Sequence, residues 1–214
     1  MNSNEILSKI DHTVLSATAT TEDVRKICEE AVKYGTASVC IPPSYIKWAR
    51  ENFPSINLCT VIGFPLGYNT TAVKVFETGN AVIDGADEID MVINLGFVKD
   101  KKFDKVTEEI SAVKKACGGK LLKVIIETCY LTDDEKKELC KCVTEAGAEF
   151  IKTSTGFGTK GAELSDIEIF KANIGENVKI KAAGGIRTKE DMENFIEAGC
   201  DRIGTSKANI LFSE

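Results

Sequence analysis

The sequence predicts an α/β fold, a single (β/α)8 TIM barrel over residues 1–214 with a short N-terminal helix. Three observations carry that expectation. Apolar runs of strand length alternate with helical patterns along the whole chain, the signature of a parallel sheet. A glycine recurs at the passage from helix to strand, at Gly35, Gly85, Gly147 and Gly199, with spacings of 50, 62 and 52 residues, each about two βα units. No strand is followed by the Gly-x-Gly-x-x-Gly turn of the open doubly wound sheet, and eight units in 214 residues favour a compact barrel.

The elements follow in order. A short strand near Asp11 to Val14 opens the barrel, and the helical pattern Thr20 to Tyr34 ends at Gly35 before the strand that closes on Cys40 and Ile41. A helix over Pro43 to Asn52 leads to a strand over Asn57 to Gly63, and a helix over Thr70 to Asp84 leads to the strand at Asp87 to Val92. Then come helix Lys99 to Cys117, strand Leu121 to Glu127, helix Thr132 to Ala146 and the strand ending at Lys152. Helix Leu164 to Asn173, strand Val178 to Ala183, helix Thr188 to Ala198 and the strand ending at Thr205 complete the set. Side chains alternate along a strand, so Asp90, Val92 and Asn94 share a face, as do Lys123, Ile125 and Glu127, then Lys152, then Lys179 and Lys181. With those faces turned to the barrel axis, function gathers at the C-terminal ends of the strands.

Composition excludes several classes. At 43% hydrophobic and 28% charged, with four prolines, the chain can bury a real core and is not disordered. A formal net charge of −6 argues against a nucleic-acid or membrane surface. The start Met1-Asn-Ser-Asn-Glu-Ile-Leu lacks the basic and apolar regions of a signal peptide, so a cytoplasmic protein is expected. Eight cysteines scattered through a large core read as free thiols. With His12 as the sole histidine and no Cys-x-x-Cys, neither a His-rich nor a Cys-pair metal site is expected, while carboxylate-bound magnesium stays open.

Two lysines stand where an apolar strand is about to end in a small-residue loop: Lys152 in Phe150-Ile-Lys-Thr-Ser-Thr-Gly156 and Lys181 in Lys181-Ala-Ala-Gly-Gly-Ile-Arg187. Burial disfavours an ammonium, and a second cation nearby disfavours it further, which is how an amine becomes a neutral nucleophile. One lysine could form an imine while its neighbour stays protonated, with Asp90 moving protons between them. The plain reading is that both lysines end strands with their heads in solvent. A second constellation joins Ala183-Gly-Gly-Ile-Arg187 after the seventh strand to Gly204-Thr-Ser206 after the eighth, where barrels commonly hold phosphate, although Gly-Gly is also an ordinary turn. His12 reads as structural, Cys40 as a buried thiol, and Glu127 as a support for Lys152 or a core ion-pair partner.

With these residues in place, the chain resembles the DeoC family of class I aldolases. The resemblance runs through Ile10-Asp-His-Thr-Val-Leu-Ser16, Ser38-Val-Cys-Ile-Pro42, Val61-Ile-Gly-Phe-Pro-Leu-Gly67, Glu88-Ile-Asp-Met-Val-Ile-Asn94 and Val124-Ile-Ile-Glu-Thr128, then both lysine motifs and Arg202-Ile-Gly-Thr-Ser206. It implies a TIM barrel that reversibly joins acetaldehyde to D-glyceraldehyde 3-phosphate, giving the phosphosugar 2-deoxy-D-ribose 5-phosphate, within deoxynucleoside breakdown. By resemblance Lys152 matches the Schiff-base lysine, Lys181 the lysine that perturbs it, and Asp90 the proton-relay aspartate. Gly184, Gly185, Arg187, Gly204 and Ser206 match phosphate-loop positions, and Asp11 and Thr155 fall at substrate-lining positions. Phe157 stands where some members carry lysine, and Lys207 where others carry a second serine, so both departures touch phosphate affinity and leave the imine chemistry alone. No cofactor is implied, because the protein supplies its own electrophile, and a homodimer is expected from the family pattern and from an exposed Trp48. Rival readings are a keto-acid sugar aldolase, a transaldolase, or a catalytically silent phosphosugar binder.

Overall fold

The computed structural model describes residues Met1–Phe212. Strands β1 (Ile10–Thr13), β2 (Ser38–Ile41), β3 (Leu58–Ile62), β4 (Glu88–Val92), β5 (Leu121–Ile125), β6 (Phe150–Lys152), β7 (Lys179–Ala183) and β8 (Arg202–Thr205) form a closed barrel in sequence order. Every pair is parallel, and β8 closes on β1. After α1 (Ser3–Leu7), the helices are α2 (Thr21–Tyr34), α3 (Ile46–Asn52), α4 (Thr71–Ile83), α5 (Leu95–Lys99), α6 (Phe103–Ala116), α7 (Asp133–Glu145), α8 (Leu164–Asn173) and α9 (Lys189–Ala198). The expected fold and the short N-terminal helix are both present.

Local chemistry explains the boundaries. Helices α1, α2, α7 and α9 each begin with a capping box, formed by Asn2 with Glu5, Thr20 with Asp23, Thr132 with Glu135 and Thr188 with Asp191. Each pairing satisfies backbone N–H groups that the first helical turn leaves free. The outward strand residues, such as Val39, Ile41, Ile89, Met91, Val124 and Ile151, join the helices in one apolar core. The inward residues of β4 to β7 are instead largely charged, so both faces of the sheet are buried but only one is apolar.

Several expected features shift. The helix expected over Lys99 to Cys117 begins only at Phe103, as α6, because Lys101 adopts a left-handed φ of 58°, and a separate α5 capped by Asn94 ends at Lys99. Strand β5 stops at Ile125, and Glu127, at φ 52°, has left the sheet. Lys179 is exposed at the N-terminal end of β7, and Asn94 serves as a cap, so neither joins the barrel interior. Trp48 is half-buried, packed against Phe53 and beneath Arg25, and is not an exposed anchor. His12 is buried on the outer face of β1 with Nε2 2.7 Å from Glu30 Oε2, which fits its structural reading. No helix among the described residues is long and apolar enough to cross a membrane.

Candidate active site

The parallel register assembles the site from residues far apart in sequence. Asp90 on β4 lies opposite Lys123 on β5, Ile125 opposite Lys152 on β6, and Lys152 opposite Lys181 on β7. Lys152 and Lys181 each place Nζ 2.7 Å from the same oxygen, Asp90 Oδ2. Lys123 Nζ takes the other oxygen, Oδ1, at 2.8 Å, and reaches Glu88 at 2.6 Å. Lys181 also meets Asp11 at 2.5 Å, and Arg202 clamps Asp11 and Glu88 at the lower edge.

All three lysines, both aspartates and Glu88 are buried. Moving an ion out of water costs several kcal/mol even after relaxation, so such a cluster persists only when charges and hydrogen bonds are matched. Burial alone would raise the Asp90 carboxyl, yet Lys123, Lys152 and Lys181 outweigh it and hold the group well below the usual carboxylate range. Asp11 is likewise held low against its burial, by Lys181, Lys123 and Arg202. Burial would strip the proton from Lys181, but Asp11 and Asp90 keep its ammonium well above the ordinary lysine value. Lys123 is held up against burial in the same way by Asp90, Cys59, Asp11 and Glu88.

Above this lattice, at the C-terminal ends of the strands, lies a cavity of about 360 Å³. Of the three buried lysines, only Lys152 lines it. Its walls include Thr155, Phe157, Gly184, Gly185, Arg187, Gly204, Ser206 and Lys207. Among the described residues, neither the Arg187 nor the Lys207 side chain has an ion-pair partner, and both are exposed at the rim. Gly204 leaves space for chemistry below it, since a Cβ there would sit 3.1 Å from Lys181 Cε and 3.0 Å from Ala183 Cβ. Gly184, at φ +82°, turns the chain so that its carbonyl meets Gly161.

The structure therefore brings Lys152, Lys181 and Asp90 into direct contact and sets Thr155, Gly184, Gly185, Arg187, Gly204 and Ser206 around the cavity. Asp11 is fully buried and lies in the charge lattice, away from the cavity wall. Glu127 does not support Lys152: its carboxylate accepts the Thr155 backbone N–H at 3.0 Å and the Thr155 hydroxyl, fixing the loop after β6. Lys123, Glu88 and Arg202 were not singled out from sequence. The inward phase of Lys123 was a usable signal, but its partners on β1, β4 and β8 are visible only once the barrel closes.

Residues 6–206 match the DeoC/LacD family aldolase profile. The chain belongs to the DeoC/LacD aldolase family. Within and around that family, a deoxyribose-phosphate aldolase of Clostridium botulinum (strain Alaska E43 / Type E3) is 61% identical, over 97% of this chain and 95% of the relative. A deoxyribose-phosphate aldolase of Clostridioides difficile (strain 630) is 58% identical over 94% of this chain and 92% of the relative. Among solved structures, deoxyribose phosphate aldolase from Aeropyrum pernix, described as a unique tetramer, superimposes with a TM-score of 0.91 at 35% identity, covering 99% of this chain and 92% of that one. The DeoC/LacD assignment agrees with the family resemblance of the motifs and covers nearly the whole barrel.

Proposed function

We propose that this chain is a class I aldolase that reversibly cleaves 2-deoxy-D-ribose 5-phosphate to D-glyceraldehyde 3-phosphate and acetaldehyde, with Lys152 as the imine-forming amine. The observation that carries this reading is that Lys152 alone among the buried lysines faces the cavity while sharing Asp90 Oδ2 with Lys181. Charge counting points the same way. Lys123, Lys152, Lys181 and Arg202 face three carboxylates, Asp11, Glu88 and Asp90, so one cation is in excess. Lys123 and Lys181 each contact more than one carboxylate, whereas Lys152 contacts Asp90 alone. Lys152 is thus the amine that reaches the cavity with the fewest carboxylate partners, and so the one placed to attack.

In the cleavage direction, neutral Lys152 adds to C1 of the open-chain sugar, and loss of water from the carbinolamine gives an iminium. A base removes the C3 hydroxyl proton, the C2–C3 bond breaks, and its electron pair flows into the iminium to give an enamine. Glyceraldehyde phosphate leaves, the enamine is protonated at C2, and water releases acetaldehyde from Lys152. Asp90, held ionised, relays protons between Lys152 and the water that forms and hydrolyses the imine, while Lys181 remains a fixed ammonium that disfavours a second charge on Lys152. The phosphate is read at the rim by Arg187, Lys207 and the backbone of Gly184, Gly185, Gly204 and Ser206, with Thr155 contacting the sugar.

Borohydride trapping with acetaldehyde, followed by peptide mapping, tests this. A reduced two-carbon adduct on Lys152 that disappears in Lys152→Ala is the expected result, and a protein that binds deoxyribose phosphate but forms no adduct would sink the mechanism. We also read the chain as a cytoplasmic homodimer. The buried free thiols suit a reducing compartment. The exposed face of α4, formed by Ala72, Val73, Phe76, Asn80 and Ile83, carries no charged side chain, which suits a second copy of this face. Light scattering that returns a monomer would remove the dimer from this reading.

A further inference from the structure

Two thiols lie inside the barrel next to the central carboxylate. Cys40 on β2 and Cys59 on β3 are register partners on adjacent parallel strands, so their side chains project to the same side of the sheet. Both are buried, and with Val61 they form a small cluster separate from the main core. Cys59 Sγ lies 3.1 Å from Asp90 Oδ1 and 3.2 Å from Lys123 Nζ. The sulfurs of Cys40 and Cys59 and a carboxylate oxygen of Asp90 all fall within 4.8 Å of one another, which no other set of three such ligands does among the described residues. No Cys-x-x-Cys spacing is needed to bring these two thiols together, because their pairing is across strands and not along one.

The other buried thiols offer a contrast. Cys28, Cys117, Cys140 and Cys200 sit in the apolar core, where burial pushes Cys28, Cys140 and Cys200 up to about 12 and Cys117 up to about 11. Cys40 and Cys59 instead pair with each other beside a carboxylate: their hydrogen bond holds Cys40 below the ordinary thiol value, while burial, Cys40 and Asp90 push Cys59 well above it. Zinc bonds of about 2.3 Å to sulfur and about 2.1 Å to oxygen place the donors of one tetrahedron roughly 3.5–3.8 Å apart, within the 4.8 Å that bounds this trio.

We propose that Cys40, Cys59 and Asp90 form an inhibitory site for a thiophilic divalent cation of the zinc class. The ion forms one bond to each sulfur and one to Asp90 Oδ1, and both thiol protons leave to solvent. No electron is transferred, and water can fill the fourth position. Exchanging two protons for one dication leaves the local charge unchanged, so the surrounding lysines oppose the bound ion no more than they oppose the protonated pair. Ligation takes Oδ1 from Lys123 and turns Oδ2 away from Lys152 and Lys181, which disables the proton relay. Binding at this site stands by itself. Its inhibitory effect rests on the aldolase reading above.

The test is titration of the intact reduced chain with cadmium(II), read by near-ultraviolet thiolate-to-metal charge transfer, with zinc(II) as competitor. Absorption saturating at one ion per chain, displaced by zinc, is expected for the wild type. The apparent Kd should weaken at least tenfold in Cys59→Ser, whose hydroxyl can still donate to Asp90, and should not change in Cys129→Ser. Acetaldehyde trapping at Lys152 should fall over the same metal concentrations and return with a chelator. No charge-transfer band, equal affinity in Cys59→Ser, or loss in Cys129→Ser alone would overturn the site, and unaltered trapping on the metal-loaded chain would overturn the inhibition. Absence of trapping before metal is added would reject the aldolase reading, while the absorption titration would still decide the site.

Discussion

Replacing Lys123 with methionine should slow imine formation at neutral pH without touching the cavity. Lys123 does not line the cavity, but its Nζ is 2.8 Å from Asp90 Oδ1 and Lys152 Nζ is 2.7 Å from Oδ2 of the same carboxylate. The two nitrogens are therefore roughly 6 Å apart, and at an effective dielectric constant of about 20 their repulsion is about 3 kcal/mol. Asp90 screens part of this, so removing the Lys123 charge should move the acid limb of the rate profile up by about 1–2 pH units, at about 1.4 kcal/mol per unit. Charge balance gives the same sign. Without Lys123 the lattice holds three cations against three carboxylates, and the excess positive charge beside the imine-forming nitrogen is gone. The assay is the rate of borohydride-trapped adduct from pH 5 to 10. At pH 7 the rate should fall roughly ten- to a hundredfold and recover towards wild type at the alkaline end. An unmoved limb would refute the charge-count argument, and an equal loss at every pH would show that Lys123→Met acts by disturbing the structure.

Other consequences are open to direct measurement. Gly204→Ala places a methyl 3.1 Å from Lys181 Cε, and it should cost about 1–3 kcal/mol of stability by overpacking and on the order of tenfold in trapping rate, measured by urea denaturation and mass spectrometry. Arg187→Ala should raise KM for deoxyribose 5-phosphate by roughly ten- to a hundredfold, the equivalent of losing one charge-assisted hydrogen bond, with little change for the unphosphorylated sugar. An equal change for both sugars would remove Arg187 from the phosphate site. Lys74→Met tests a buried pair outside the barrel interior, where Lys74 Nζ meets Glu109 at 2.9 Å and the Val92 carbonyl at 2.8 Å. It should cost about 3–5 kcal/mol near neutral pH by leaving Glu109 uncompensated. Burial already raises the Glu109 carboxyl, so the penalty should shrink as the pH falls and that group takes up a proton, which denaturation at pH 4 and 7 would reveal.

The acidic lattice predicts a sign for pH as well. The folded-state carboxyls of Asp11 and Asp90 are held below their unfolded values, so the stability they contribute is present above about pH 4 and is lost as the pH falls through the folded values. The ammoniums of Lys123 and Lys181 are held above theirs, so their contribution is complete below about pH 10.4 and is lost as the pH rises through the folded values. These four groups should therefore add no slope to the denaturation midpoint between these limits. A midpoint that rose steadily from pH 5 to 9 would contradict the lysine shifts, and one that fell steadily over that range would contradict the carboxyl shifts.

The sequence alone determined the alternation of strands and helices, the glycines that end α2 and α9, and the inward phase of Asp90, Lys123, Lys152 and Lys181. These are local properties, decided by side-chain periodicity and by which residues tolerate or cap a helix end. Tertiary structure decided which of the inward charges meet. Closure of β8 onto β1 sets Arg202 and Asp11 in one lattice with Glu88 and Lys123, although Asp11 and Arg202 lie at opposite ends of the chain. It also decided that Glu127 holds Thr155, that Trp48 is packed away, and that Cys40 and Cys59 face one another beside Asp90. Coulomb energies inside a barrel depend on distances across the closed sheet and on the exclusion of water, and neither is fixed until the last strand is in place.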